Sequence, residues 1–173
     1  MNAEDLRALQ APLKARYREN AAAAVVTLRA QGILDVERIA CRLETGRGPA
    51  VEAGLHPATG GDGSFACSGD MLLESLVACA GVTLCAVATA LAIPIQGGAL
   101  TAEGELDFRG TLGVDKDAPI GFKSIRLHFD LDSSASDEQL SKLVTLTERY
   151  CVIFQTLQQP PSVTIAHARK NDS

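Results

Sequence analysis

With 173 residues, 46% of them hydrophobic and 21% charged, the chain can bury one substantial core, would crowd two, and does not have the composition of a disordered segment. A net charge of -5, with Lys and Arg scattered rather than clustered, argues against nucleic acid as a partner, because phosphate neutralisation needs a basic face. Aromatic residues make up only 4% and Trp is absent, so the core must be built from Ala, Val, Leu and Ile, and the expected ligand is small.

The first 19 residues carry seven charged side chains and no apolar stretch of the secretory kind, so the expected compartment is the cytosol. There thiols stay reduced. Five cysteines, at 41, 67, 79, 85 and 151, therefore read as buried or reactive thiols rather than a disulfide framework, and their odd number agrees.

Residues 3 to about 31 are Ala-rich, with Leu6, Leu9, Leu13, Val25 and Leu28 among charges, and read as one or two helices closing at Gly32. We take residues 1–35 as a helical extension and residues 36–170 as the main domain. From Val36 the period becomes two: Ile39, Cys41 and Leu43 alternate with polar residues, Thr45-Gly46-Arg47-Gly48 supplies a turn, and Val51, Ala53 and Leu55 return as the second arm of a hairpin. A glycine-rich loop, His56 to Ser64, follows, and it lacks the Lys-Ser/Thr ending of a nucleotide loop.

Residues 70 to about 92 read as a helix capped by Ser68 or Asp70. It is apolar nearly all round and is expected to be buried on most sides, with Pro94 ending it. The uncharged run from Ser75 to Ala102 is rich in Ala, Gly, Ser and Thr and lacks basic flanks and aromatic belts, so it reads as a core helix rather than a membrane span.

Two half-exposed strands come next, Leu100 to Arg109 and Ser124 to Leu131. Ser136 and Gln139 form a capping box for a helix through Tyr150, with Leu140, Leu143, Val144 and Thr147 on its buried side. After Pro160 and Pro161, residues 162–168 alternate as a last strand. The order β-β-α-β-β-α-β makes the fold class α+β, with curved antiparallel sheets around central helices.

Cysteine is by default a small buried hydrophobe. Cys41 faces the apolar side of a strand and fits that reading, while Cys67, in a loop before the helix cap, is open to either. Cys85 lies six residues past Cys79, about 240° around a helix, so the two cannot share a face. No spacing of Cys and His resembles a zinc site, and no metal or cofactor is expected. Cys79 sits mid-helix between Ala78, Ala80 and Gly81, small neighbours that let another segment or a substrate approach the sulfur. Cys151 lies on the inward face of its own helix. The two thiols can meet, although spacing alone does not show that they do.

The run from Ser68 to Leu84 around Cys79 resembles the first cysteine helix of the OsmC/Ohr family of osmotically inducible and organic-hydroperoxide-resistance proteins. Glu148-Arg-Tyr-Cys151, with Gln155-Thr-Leu157, is similar to that family's second cysteine motif. The resemblance covers roughly residues 36 to 168. It implies a homodimer with swapped elements and active sites at the subunit interface. It also implies a two-cysteine reduction of organic hydroperoxides or hydrogen peroxide, with Cys79 attacking the peroxide, Cys151 resolving, and a small dithiol or lipoyl-type partner as reductant. The alternative is a family member without peroxidase turnover that binds a small molecule or carries a thiol.

Family peroxidases acidify the first cysteine with an Arg from the N-terminal hairpin, held by a Glu ten residues before that cysteine. Here that position is Gly69, so Asp70 and Glu74 are the candidate acids, and Arg47 and Arg42 the candidate cations. Val152 stands where the family usually has Pro after its second cysteine.

Overall fold

A computed structural model describes residues 1–44 and 49–169. The predicted hairpin turn, with Arg47 in it, lies outside the described residues.

The extension opens with α1 (Ala3–Glu19), whose first amides are satisfied by Asn2 and whose capping box is completed by Asp5. A single 3-10 turn, Ala21–Ala24, follows. The sequence reading kept this region helical to about residue 31. Instead Gln31–Asp35 form a strand, β1, which pairs antiparallel with β2 (Ala40–Glu44) through the turn at residues 36–39. Local pattern could not show β1, since its residues Gln31 to Leu34 are exposed and carry no buried alternation. The predicted return strand is present as β3 (Val51–Ala53), completing a three-stranded sheet in the order β1-β2-β3. Arg38 ties this sheet together: its guanidinium donates to Asp35 at 2.6 Å and Glu52 at 2.8 Å and lies over the Phe65 ring.

The long helix α2 (Ser68–Leu91) begins at Cys67, which offers no side-chain cap, so neither Ser68 nor Asp70 is the cap residue expected. It ends where Ala92 takes a left-handed conformation, two residues before Pro94. By length and composition α2 could cross a membrane. It is not buried on most sides. One stripe, Leu76, Ala80, Leu84 and Ala88, is buried at helical spacing, while Val82 on another side is 73% exposed. In the single chain only one side of α2 has layers packed on it.

Those layers come from the C-terminal half. β4 (Gly97–Glu105) and β5 (Ser124–Asp132) form a two-stranded antiparallel sheet in continuous register from Gly97↔Asp132 to Glu105↔Ser124. Alternation puts Leu100, Ala102, Ile125, Leu127 and Phe129 against α2. Between the strands runs a loop containing a short helix, α3 (Phe108–Thr111). It is pinned by Arg109, which bridges Asp107 at 2.6 Å and Asp115 at 3.2 Å. The Arg109 guanidinium beside Asp107 holds that carboxyl down to about 2.

The expected capping box is present: Ser136 accepts from the Gln139 amide and Gln139 accepts from the Ser136 amide. It starts α4 (Asp137–Tyr150), whose Leu143 and Thr147 are fully covered against α2. After Cys151 the chain turns into α5 (Val152–Gln158). The last strand expected over residues 162–168 does not form. That segment runs without regular structure, and Val163 and Ile165 stand 82% and 95% exposed.

Two apolar clusters line α2 and meet at Phe129. One gathers Leu84, Ala88, Ile93 and Leu143; the other gathers Leu76, Ala80 and Cys151.

Candidate functional site

The second cluster holds both cysteines of interest. Cys79 projects half-buried from α2 into the space between Leu76 and Ala80 on one side and Ile153 and Phe154 on the other. Cys151 is fully buried in the same cluster, and both are free thiols. Each of the two thiols shifts the acidity of the other.

The sequence placed Cys151 on the inner face of a continuing helix. In the structure it is the single cap residue that follows α4 and precedes α5, with φ -74 and ψ 110, an extended conformation. This break is what builds the site. A helix leaves its first amides without intrahelical acceptors. Here the Gln155 amide already reaches back to the Cys151 carbonyl at 3.0 Å. That leaves the amides of Val152, Ile153 and Phe154, and these turn towards the sulfurs. Ile153 and Val152 donate to Cys79, and Phe154 and Ile153 donate to Cys151.

The two thiols consequently diverge. Burial raises Cys79, but the amides of Ile153 and Val152 and the neighbouring Cys151 thiol more than offset it, so Cys79 lies below the usual thiol range. Cys151 is pushed up, first by burial and then by the neighbouring Cys79 sulfur. The arrangement is asymmetric: Cys79 is the more acidic thiol of the pair and Cys151 the less acidic. Such a pair suits nucleophilic attack by the first thiol and a later response by the second.

Of the acidifying side chains expected from the sequence, Asp70, Glu74 and Arg42 are placed elsewhere, and Arg47 lies outside the described residues. Asp70 and Glu74 are exposed and line a different side of α2, together with Val77 and Ala78. Glu74 is five residues before Cys79, hence about 140° away around the helix, and Asp70 is more than two turns back. Arg42 is exposed on β2 directly opposite Glu52, whose carboxyl it helps to hold down. Sequence reasoning missed the amide donors entirely. The one signal available was Val152, a residue with an N–H at the place where a Pro would have none.

Of the other cysteines, Cys41 is half-buried in β2 and Cys85 is exposed on α2. Cys67 lies beside Gly69, in a cavity of about 480 Å³ that it shares with His56, Phe108 and Lys123. His56 stacks on Phe108 at 4.9 Å, and its Nδ1 accepts from the Ala58 amide at 3.0 Å, which puts the neutral ring's proton on Nε2. No group of three or more metal-ligating side chains occurs among the described residues.

Comparison with known proteins adds to this geometry. The sequence model of the family described as "OsmC-like protein" matches residues 61–166. Among solved structures, an OsmC-like protein from Mycoplasma pneumoniae superposes with a TM-score of 0.65 at 19% identity, covering 78% of this chain and 89% of that one. An organic hydroperoxide resistance protein from Elizabethkingia anophelis gives 0.63 at 14%, covering 79% and 91%. A structure described as an organic hydroperoxide resistance protein OsmC, from Legionella pneumophila, gives 0.61 at 18%, covering 78% and 91%. At these identities the structural likeness shows the fold. No curated protein sequence matches significantly.

Proposed function

The chain belongs to the OsmC-like family, and from that premise we propose that it is a thiol-dependent peroxidase of the cytosol that reduces organic hydroperoxides, or hydrogen peroxide, through Cys79 and Cys151. The observation that carries this reading is the asymmetric pair in one apolar cluster: a Cys79 thiol held below its usual range beside a fully buried Cys151 pushed above its own.

The Cys79 thiolate attacks one peroxide oxygen. The O–O bond breaks, and the leaving alkoxide takes up a proton and departs as the alcohol. Sulfur has lost two electrons and is now a sulfenic acid. Cys151 then attacks that sulfur, an S–S bond forms, and hydroxide leaves as water. Exchange with a small dithiol or lipoyl-type reductant restores both thiols. The placing of both cysteines in one cluster supports the resolving step, since the partner is at hand before oxidation.

A homodimer with swapped elements completes the proposal. The uncovered apolar side chains of β1 and the C-terminal segment, such as Leu34 at 77% and Ile165 at 95% exposure, support a second copy as their cover. Within such a dimer the hairpin arginines, Arg47 and Arg42, remain candidates to add a cation to Cys79.

Mass spectrometry after one equivalent of cumene hydroperoxide tests the chemistry. The expected result is a Cys79–Cys151 disulfide in the wild type and a sulfenic or sulfinic adduct on Cys79 in Cys151→Ser. An unmodified Cys79 in both proteins sinks the mechanism and leaves a family member that binds a small molecule or carries a thiol without peroxidase turnover.

A further inference from the structure

A cavity of about 690 Å³ opens along the other half of α2, away from the dithiol cluster. Its walls are the α2 face of Leu84, Cys85, Ala88 and Thr89, the Ile95–Gly98 entry to β4, and the first residues of α1. The volume lies within the range of small-molecule sites, which are apolar pockets with a few placed polar groups.

Two features define what the cavity would take. No Asp, Glu, Lys, Arg or His side chain lines it and the Met1 α-amino group is its one charge, so nothing there would compensate a cation for lost hydration. Two of its polar groups are also unspent. On α2 and α4 the hydroxyls of Ser75, Thr83, Thr145 and Thr147 each donate to the carbonyl four residues back. Thr89 makes no such bond, and neither its hydroxyl nor the Gln96 carboxamide has a hydrogen-bond partner among the described residues.

We propose that this cavity is a second binding site, separate from the dithiol, for a neutral apolar molecule with a single hydrogen-bonding head, such as a medium-chain alcohol or ketone. The hydrocarbon lies along Leu84, Ala88, Ile93 and Leu131, and the head meets Thr89 and Gln96. Neither step depends on peroxidase chemistry.

Cys85, exposed and in the wall, serves as the reporter. The full chain is labelled with N-ethylmaleimide in the presence of 1-decanol, and Cys85 labelling is followed by peptide mass spectrometry, with Cys41 and Cys67 as internal controls. With the alcohol at ten times its Kd, Cys85 labelling slows by about tenfold, by mass action. Decylammonium, of the same length but cationic, gives no protection. Thr89→Trp fills the space and abolishes protection while the peroxide-driven Cys79–Cys151 disulfide still forms. If that variant does not fold, Gln96→Trp, at an exposed position, carries the same test. Equal protection by decylammonium, no protection by decanol, or protection that survives the filling variant overturns the proposal. So does a Cys85 that a second copy of the chain shields at every concentration tested.

Discussion

Replacing Val152 with Pro tests whether main-chain amides acidify Cys79. The substitution removes one N–H, and that N–H is among the donors holding Cys79 below the usual thiol range. The backbone suits the change. Val152 is the first residue of α5, where Pro is favoured, and Cys151 before it is extended at ψ 110, as a residue preceding Pro prefers to be. The Val152 side chain is 68% exposed, so little packing is lost. A hydrogen bond to a charged acceptor contributes about 1.5–3 kcal/mol. Cys79 is half-buried and keeps Ile153 and Cys151, so the lower figure applies, which raises the titration by about one pH unit. The assay is the rate of Cys79 alkylation by iodoacetamide against pH, read by peptide mass spectrometry. Below the midpoint, the variant should react about tenfold more slowly at a given pH. A midpoint that stays where it was, in a variant of normal circular dichroism and melting temperature, refutes the amide account.

Two further outcomes follow from packing and charge. Gly110→Ala places a Cβ 2.7 Å from the Ala118 carbonyl oxygen and 2.8 Å from that of Pro119, both backbone atoms that cannot swing away; denaturant unfolding should show a loss of about 1–3 kcal/mol. Asp107 is lowered by Arg109, so its folded carboxyl stays ionised where an unfolded one would be protonated; its contribution is present above about pH 4 and is lost as the pH falls through about 2. Protection of the Arg109 amide, which donates to Asp107 at 3.1 Å, against hydrogen exchange relative to a free amide should therefore fall across that acid window and show no such fall in Asp107→Asn.

Legibility in the sequence tracked how local the cause was. The capping box at Ser136 and Gln139 and the alternation of β5 were readable because neighbours three or two residues apart decide them. β1 escaped notice because it is a short exposed strand defined by pairing with β2, a tertiary fact. Residues 162–168 have the composition of a strand, but in one chain no edge pairs with them. At the site, the positions of the two cysteines were legible and their chemistry was not. Leu140, Val144, Thr147 and Cys151 continue a helical stripe without interruption, and neither Gly nor Pro announces that the helix breaks at Cys151. The fully buried contacts of Leu143 and Thr147 against α2 fix where α4 stops, and those are set by the whole fold.

That break has a consequence for how the protein would behave in concentrated salt. An attraction between two exposed charges fades as counterions crowd in, with a screening length of about 8 Å at physiological ionic strength and about 3 Å in molar salt. An amide carries no net charge to be screened, does not titrate, and here sits against the sulfur it serves. The share of Cys79's acidity that the start of α5 provides is therefore indifferent to brine. It is also hard for mutation to erase, because every residue except proline brings the same N–H to position 152.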